Sequence, residues 1–376
     1  MMSLFSRRHF LQTTGTVLAA SSLFRGNALV ASPSMAFPTR PLIFAHRGAS
    51  ALRPEHTLAA YGKAIIDGAD YIEPDLVPTK DGRLIARHES NITDTTDVAQ
   101  HPEFANRRRI MTIDGKQQEG WFTTDFTFAE IKQLRACERL PQIRPSNSRY
   151  NGWFDIPSIE EVIDFVAASA TASGRQIGII PELKNPTHFH KLGFTPEDQL
   201  LDILNRHNYT RQAPVEIQSF EPTPLRYIRK KIGQSRPNWK LMFLLGYPDV
   251  PPADILAAGG KTTFRNLVSK EGLQELRGYA DAIGPANEYL IPKDSNGQWL
   301  QPTNLIQNAH DAGLFVHSYT CRPENIFLPR QLRNQEGDNS RNIQGSIAEI
   351  RRYLELGLDG FFTDDPAVGR LAVEVF

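Results

Sequence analysis

From residue 158 onward the chain alternates short apolar runs with capped amphipathic stretches, and that rhythm admits very few folds. Ser158-Ile159-Glu160-Glu161 is a capping box, opening a helix that carries Val162, Ile163 and Val166 on one stripe. The same periodicities predict helices opening at Thr195-Pro196, Thr223-Pro224, Ser269 and Thr303, with a second capping box at Ser346-Ile347-Ala348-Glu349. Between them, residues 177–180, 215–220, 241–245, 281–284, 314–319 and 360–363 read as buried strands. Upstream, 42–45 is a strand, and 57–67 is a helix stopped by Gly68. Tyr71-Ile72 leads into Glu73 and Asp75, whose period-two spacing predicts one shared strand face. After an Asp81-Gly82 turn, 84–86 is a strand that runs to His88.

Strands alternating with helices predict a parallel barrel or a doubly wound sheet. The polar residues Glu73, Asp75, His88, Glu182, Lys184, Gln218 and Tyr319 all fall where strands end. A (β/α)₈ TIM-type barrel collects its strand ends into one mouth, whereas an open sheet collects only a few beside its switch point. The expectation is therefore an α/β barrel. About nine strand-like pieces stand against the eight strands of that fold. Either 281–284 is not a barrel strand, or the helix-free run from Asp75 to Leu84 is unusual.

Residues 89–156 interrupt the rhythm. They are polar, contain Arg107-Arg108-Arg109, and have Trp121, Phe122, Phe126 and Phe128 to bury, which predicts a small cap inserted between barrel elements. The arginine run is a solvated surface or, more sharply, a phosphate-attracting rim.

At 376 residues the chain is long enough for one barrel plus this insertion. Lys+Arg and Asp+Glu are 42 each, so no basic stripe for nucleic acid is indicated. No run of 18 apolar residues marks a membrane span. Arg7-Arg8 ahead of a short, weakly apolar segment and recurrent small residues predicts a twin-arginine signal peptide over residues 1–36, cleaved after Ala28, Ala31 or Ala36. That implies passage through the twin-arginine export machinery to the periplasm. Substrates of that route are generally folded before export, so Cys137 and Cys321 are expected as free, mostly buried thiols, with a disulfide between them as the alternative.

Three carboxylates at strand ends, Glu73, Asp75 and Glu182, would repel one another and take up protons unless a cation joined them. Oxygen-only ligands favour Ca²⁺ or Mg²⁺ over zinc. A lone histidine is usually structural, but His46 and His88 bracket the Glu73–Asp75 pair. Two imidazoles can deprotonate a nucleophile and protonate a leaving alkoxide in phosphodiester cleavage. Arg47 and Lys184 are candidates for the non-bridging phosphate oxygens, with a salt bridge from Arg47 that orients Glu55 or another carboxylate as its alternative role.

These residues sit in a series of motifs. His46-Arg47-Gly48-Ala49-Ser50, Pro54-Glu55-His56-Thr57, Gly68 to Asp75, Thr79-Lys80-Asp81-Gly82, Pro181-Glu182-Leu183-Lys184, Gln218-Ser219-Phe220 and Phe362-Thr363-Asp364-Asp365-Pro366 together resemble the glycerophosphodiester phosphodiesterases. The chain is most similar to the bacterial periplasmic branch, through its Pro-Glu-His-Thr pattern. The resemblance implies a barrel of the phospholipase-C-like phosphodiesterase kind, and hydrolysis of glycerophosphodiesters such as glycerophosphocholine to sn-glycerol 3-phosphate and an alcohol. It implies metal ligation by Glu73, Asp75 and Glu182, with Ca²⁺ usual in the periplasmic branch and Mg²⁺ elsewhere. It also implies acid–base work by His46 and His88, and substrate or phosphate contacts from Arg47, Lys184, Glu55, Gln218, Phe220 and Tyr319. One departure is Glu89, where the family carries aspartate after the second histidine. Two rivals remain: the same barrel acting on lysophospholipids or glycerophosphate polymers, which a wide hydrophobic mouth built by residues 100–155 would favour, and a non-catalytic barrel that only binds glycerophosphodiesters.

Overall fold

The computed structural model describes residues 40–233, 235–374 and 376. The predicted signal peptide and its cleavage points after Ala28, Ala31 and Ala36 lie outside the described residues. The strands, in chain order, are β1 (Leu42–His46), β2 (Tyr71–Glu73), β3 (Asp75–Pro78), β4 (Leu84–Ala86), β5 (Arg109–Ile113), β6 (Lys116–Gly120), β7 (Gly178–Ile179), β8 (Glu182–Leu183), β9 (Val215–Ser219), β10 (Trp239–Leu244), β11 (Ala282–Gly284), β12 (Phe315–Cys321) and β13 (Gly360–Thr363).

A closed parallel barrel accounts for all but three of them. β1 pairs with β2 on one side and β13 on the other, and the circuit runs through β12, β11, β10 and β9 back to β7 and β8. Two of the eight staves are broken by proline. Pro74 separates β2 from β3, and Pro181 precedes β8; each lacks the N–H that would continue the ladder. Helices such as Ile159–Ser173, Pro196–Arg206 and Ile343–Leu354 connect successive staves.

The surplus strand is thereby explained. β11 is a true stave, parallel to both β10 and β12. β4 is not: it folds back antiparallel on β3 through a turn at Gly82, whose φ is +80°. This hairpin returns the chain to the mouth, where the Arg87 N–H donates to the Asp75 carbonyl at 2.9 Å. His88 thus comes back beside the carboxylates without a helix.

Local signals place most helices. Thr57 caps Leu58–Ile66, and the Ser158 box closes reciprocally with Glu161. The second predicted capping box is wrong. Asn342 caps Ile343–Leu354 by accepting the Gly345 N–H at 2.8 Å, so Ser346 and Glu349 lie buried inside the helix. The helix predicted from Thr223 starts at Pro222, and the one predicted from Thr303 starts at Leu305.

Residues 89–156 form an ordered insertion with the antiparallel β5–β6 hairpin. Trp121 and Phe126 pack with Val77, Ile85, Ile92, Phe104 and Leu134 into a cluster separate from the main core, while Phe122 packs on Met111 and Ile113. The arginine run is occupied locally: Arg107 pairs with Glu130, Arg108 with Glu119 and Arg109 with Asp125. Cys137 and Cys321 are free thiols. Among the described residues no helix is long and apolar enough to cross a membrane.

Candidate active site

Parallel register assembles the site. His46 on β1 is opposite Glu73 on β2; Asp75 on β3 is opposite Glu182 on β8, which is opposite Gln218 on β9. Neighbouring strands lie about 4.8 Å apart, so the proline breaks bring three carboxylates together at the mouth. One oxygen from each of Glu73, Asp75 and Glu182 lies within 4.8 Å of the others, and all three residues are buried.

The charges in this cluster divide unevenly. Burial, then Asp75 and Glu182, pushes Glu73 well above the usual carboxylate range. Burial raises Glu182 to about 8, with Lys184 opposing and Asp75 reinforcing. Asp75 is held well below its ordinary value because Lys184, His88 and His56 outweigh its burial. Each carboxylate is oriented by a donor. Glu73 accepts the Arg47 backbone N–H at 2.6 Å and a Gln218 amide N–H at 3.2 Å. Asp75 Oδ2 pairs with His56 Nε2 at 2.9 Å, and His56 is held in turn by the Tyr61 hydroxyl at 2.8 Å. Glu182 pairs with Lys184 at 2.8 Å.

The residues fit a hard divalent cation. All donors are oxygens, as Ca²⁺ and Mg²⁺ prefer. Burial and the neighbouring carboxylates push two of the three toward their neutral forms, and Asp75 Oδ1 is buried without a hydrogen-bond partner. A cation at this point relieves both conditions.

The histidines form two matching dyads. His46 Nδ1 is 2.6 Å from Asp364 Oδ1, and His88 Nδ1 is 2.5 Å from Glu89 Oε1. Against their burial, Asp364 is held well down by Arg144, His46 and Arg322, and Glu89 by His88 and Arg139. An ionised carboxylate only accepts, so each Nδ1 carries the proton and each Nε2 is the basic nitrogen. Burial and then Arg47 lower His46 to about 4; burial, Arg47 and Lys184 lower His88 to about 3. Both rings are therefore neutral near pH 7. Glu89, which stands where the resemblance leads one to expect aspartate, makes this contact with its longer side chain.

The insertion completes both dyads. Arg139 forks between Glu89, at 2.8 and 2.6 Å, and Glu55, at 2.8 and 2.7 Å. Arg144 donates to Asp364 at 2.5 Å and to Glu324 at 2.6 Å. The segment read as a cap thus holds the carboxylate behind each histidine.

A cavity of about 120 Å³ lies against His46, Arg47, Glu73, His88, Glu182 and Lys184, with Gln218, Phe220 and Tyr319 also on its wall. Nine of the expected residues therefore converge there. Asp75 sits behind them, and Glu55 does not line the cavity. The Glu55 carboxylate accepts from Arg139 Nε at 2.8 Å and from Arg47 Nη1 at 3.1 Å, which anchors both arginines. Gln218 directs its amide at Glu73, and the Tyr319 hydroxyl donates to the Leu245 carbonyl, leaving its ring to face Phe220 at 6.1 Å. Arg47 has φ +59° and is followed by Gly48 at +88°; a Cβ at Gly48 would stand 2.7 Å from the Ala60 backbone. Glycine there lets the loop press on the helix and turns the Arg47 N–H toward Glu73.

Sequence reasoning missed His56, Asp364, Arg139, Arg144 and Arg322 as site residues. Asp364 could have been found: a closed barrel pairs its last strand with its first, and Ala45 is opposite Thr363. That register puts the next residues, His46 and Asp364, side by side. The arginines carry no such local signal.

Comparison with known proteins agrees with this geometry. The model of the glycerophosphoryl diester phosphodiesterase family matches residues 46–368. The chain is 35% identical over 340 residues to glycerophosphodiester phosphodiesterase GDPD6 of Arabidopsis thaliana, covering 87% of this chain and 84% of the relative. It is 29% identical to a glycerophosphodiester phosphodiesterase of Haemophilus influenzae, covering 85% and 89%. An Oleispira antarctica phosphodiesterase, solved in complex with the product sn-glycerol-3-phosphate, superposes with a TM-score of 0.57 at 16% identity, covering 89% of this chain and 97% of that one. This last likeness establishes the shared fold.

Proposed function

This chain belongs to the glycerophosphoryl diester phosphodiesterase family, and from that premise we propose an exported, divalent-cation-dependent enzyme that hydrolyses glycerophosphodiesters to sn-glycerol 3-phosphate and an alcohol. The observation that carries it is the pair of carboxylate-backed imidazoles lining one cavity that also bears Glu73, Glu182, Arg47 and Lys184.

Glu73, Asp75 and Glu182 hold the cation, Ca²⁺ or alternatively Mg²⁺. When bound, it supplies positive charge to the phosphoryl oxygens as negative charge builds on them. Arg47 and Lys184 hold the non-bridging oxygens. One imidazole takes a proton at Nε2 from the nucleophile, either water or a substrate hydroxyl, and the other returns one to the departing alcohol oxygen. Burial depresses both histidines most, and positive charge adds to it, from Arg47 at both rings and from Lys184 at His88. A phosphodiester anion offsets that charge, so its arrival favours protonation of one ring and prepares the acid. A binding-only barrel would have no need of two oriented bases.

Purified protein supplied with Ca²⁺ or Mg²⁺ is expected to release sn-glycerol 3-phosphate from glycerophosphocholine, and to stop on chelation. No release under any cation, or full activity in both His46→Ala and His88→Ala, would overturn the proposal. Export is supported by the Arg7-Arg8 pattern. Changing both to lysine should abolish recovery from the periplasm, and undiminished recovery would refute the twin-arginine route.

A further inference from the structure

Three cationic side chains line the catalytic cavity: Arg47, Lys184 and Arg322. The first two are committed. Arg47 faces Glu55 at 3.1 Å and Asp75 at 3.6 Å, and Lys184 faces Glu182 at 2.8 Å and Asp75 at 3.8 Å. Both therefore stand over the carboxylates assigned to the cation, where the phosphodiester lies. Arg322 is set apart from them. It follows Cys321, the last residue of β12, and β12 is separated from β1 by β13 alone. Arg322 thus stands on the flank of His46, across the mouth from β8 and Lys184.

The Arg322 guanidinium is held in place but unfilled. Its Nε is 3.3 Å from Asp364 Oδ2, and its flat face lies over Phe327, 4.8 Å from the ring centroid. Those two contacts fix the plane of the group. Among the described residues neither of its Nη groups has a hydrogen-bond partner. The nearby Arg139 and Arg144, by contrast, place their forks on carboxylates. A guanidinium fixed on a cavity wall with its fork unpaired is a receptor for a pair of anionic oxygens. In a bound glycerophosphodiester the non-bridging oxygens belong to the cation, Arg47 and Lys184, and the glycerol half carries hydroxyls without charge. An anion left for Arg322 is therefore on the alcohol half.

We propose that Arg322 is a specificity-determining residue that pairs with an anionic group, a carboxylate or a second phosphodiester, on the alcohol half of the substrate. The enzyme then ranks glycerophosphodiesters of anionic alcohols above those of neutral ones, and a cationic alcohol such as choline meets like charge at this wall. The proposal rests on the phosphodiesterase function given above. The bond broken is the same, and only the recognition of the departing half is added.

The test compares kcat/KM, read as release of sn-glycerol 3-phosphate, within two pairs of substrates. Glycerophospho-3-hydroxypropionate is set against glycerophosphopropanol, and bis(glycerophospho)glycerol against glycerophosphoglycerol. In at least one pair the parent enzyme should favour the anionic member by about tenfold or more, the effect of a charge-assisted hydrogen bond. The pair that shows it tells whether the anion is a carboxylate or a phosphodiester. Added salt should narrow the ratio. Arg322→Met should abolish the preference, and Arg322→Lys should recover only part of it, because a point charge lacks the fork. Taking the ratio within a pair cancels any common loss from disturbing Asp364. Arg352→Met removes the same charge from the last turn of the helix Ile343–Leu354, where Arg352 pairs with Glu355 at 2.9 Å, and should leave the ratio alone. A ratio near one in both pairs, or a preference that Arg322→Met leaves in place, overturns the assignment while the phosphodiesterase stands. An equal loss on both members of each pair makes Arg322 a positioning residue behind Asp364 and also overturns it. No turnover of any substrate overturns both.

Discussion

Asp364→Asn tests the His46 dyad most directly. Asp364 receives three donors or partners: His46 Nδ1 at 2.6 Å, Arg144 Nη2 at 2.5 Å and Arg322 Nε at 3.3 Å. Asparagine keeps the shape but offers a single acceptor oxygen. Arg144 and Arg322 can only donate, so they claim that oxygen and turn the amide NH₂ toward His46. Nδ1 must then accept, the proton moves to Nε2, and the ring no longer presents a base to the cavity. Loss of the charge-assisted hydrogen bond alone is worth about 1.5–3 kcal/mol, or roughly 10- to 160-fold in rate. The tautomer reversal adds to this, and the equivalent change beside the imidazole of a serine-protease triad costs about 10⁴. The expected fall in kcat is thus on the order of 10²–10⁴. Folding should survive, because Arg144 keeps Glu324 at 2.6 Å and the Ser50 carbonyl at 2.9 Å and is not stranded. The assay is release of sn-glycerol 3-phosphate from glycerophosphocholine across pH, paired with a thermal melt. A fall smaller than about tenfold, in a protein that melts like the parent, lies below the weakest charge-assisted bond and would refute the assignment.

Three further outcomes follow from the geometry. Arg139→Met should strip the shared partner from Glu55 and Glu89 and lower kcat by about one to two orders of magnitude; Arg139→Lys should recover only part of it, and equal activity of the two variants would show that the fork is irrelevant. Because burial holds Glu182 protonated up to about pH 8 in the cation-free site, cation binding near pH 7 should expel a proton, so affinity should rise from pH 6 to pH 9 and titration heats should depend on the buffer's ionisation enthalpy; a pH-independent affinity would contradict this. Glu349 is buried in the helix Ile343–Leu354, and burial lifts it to about 8, Lys293 opposing. The folded state therefore holds a proton that the unfolded chain has lost above its ordinary carboxylate value, and stability falls with rising pH by up to about 1.4 kcal/mol per unit until the folded value near 8 is passed. Glu349→Gln should remove that slope, its melting advantage over the parent growing from pH 5 to pH 8; a constant difference would count against it.

Much of this protein is determined within short stretches of sequence. Apolar runs bounded by caps identified the barrel's staves and most of its helices, and Glu73, Asp75, Glu182, His46 and His88 were found because they stand at strand ends. Such signals are local, since hydrophobic periodicity and capping act over a few residues. They misled where a competing local donor intervened, as when Asn342 capped the helix one turn before Ser346. Tertiary structure decided how the groups are paired. β4 became a hairpin that delivers His88 rather than a ninth stave, because Ala86 pairs back on Leu76. Asp364 became the partner of His46 across 318 residues, and Arg144 the partner of Asp364 across 220. A buried charge must find an opposite charge in three dimensions, and nothing in a residue's own neighbourhood along the chain says which one closure of the barrel will bring.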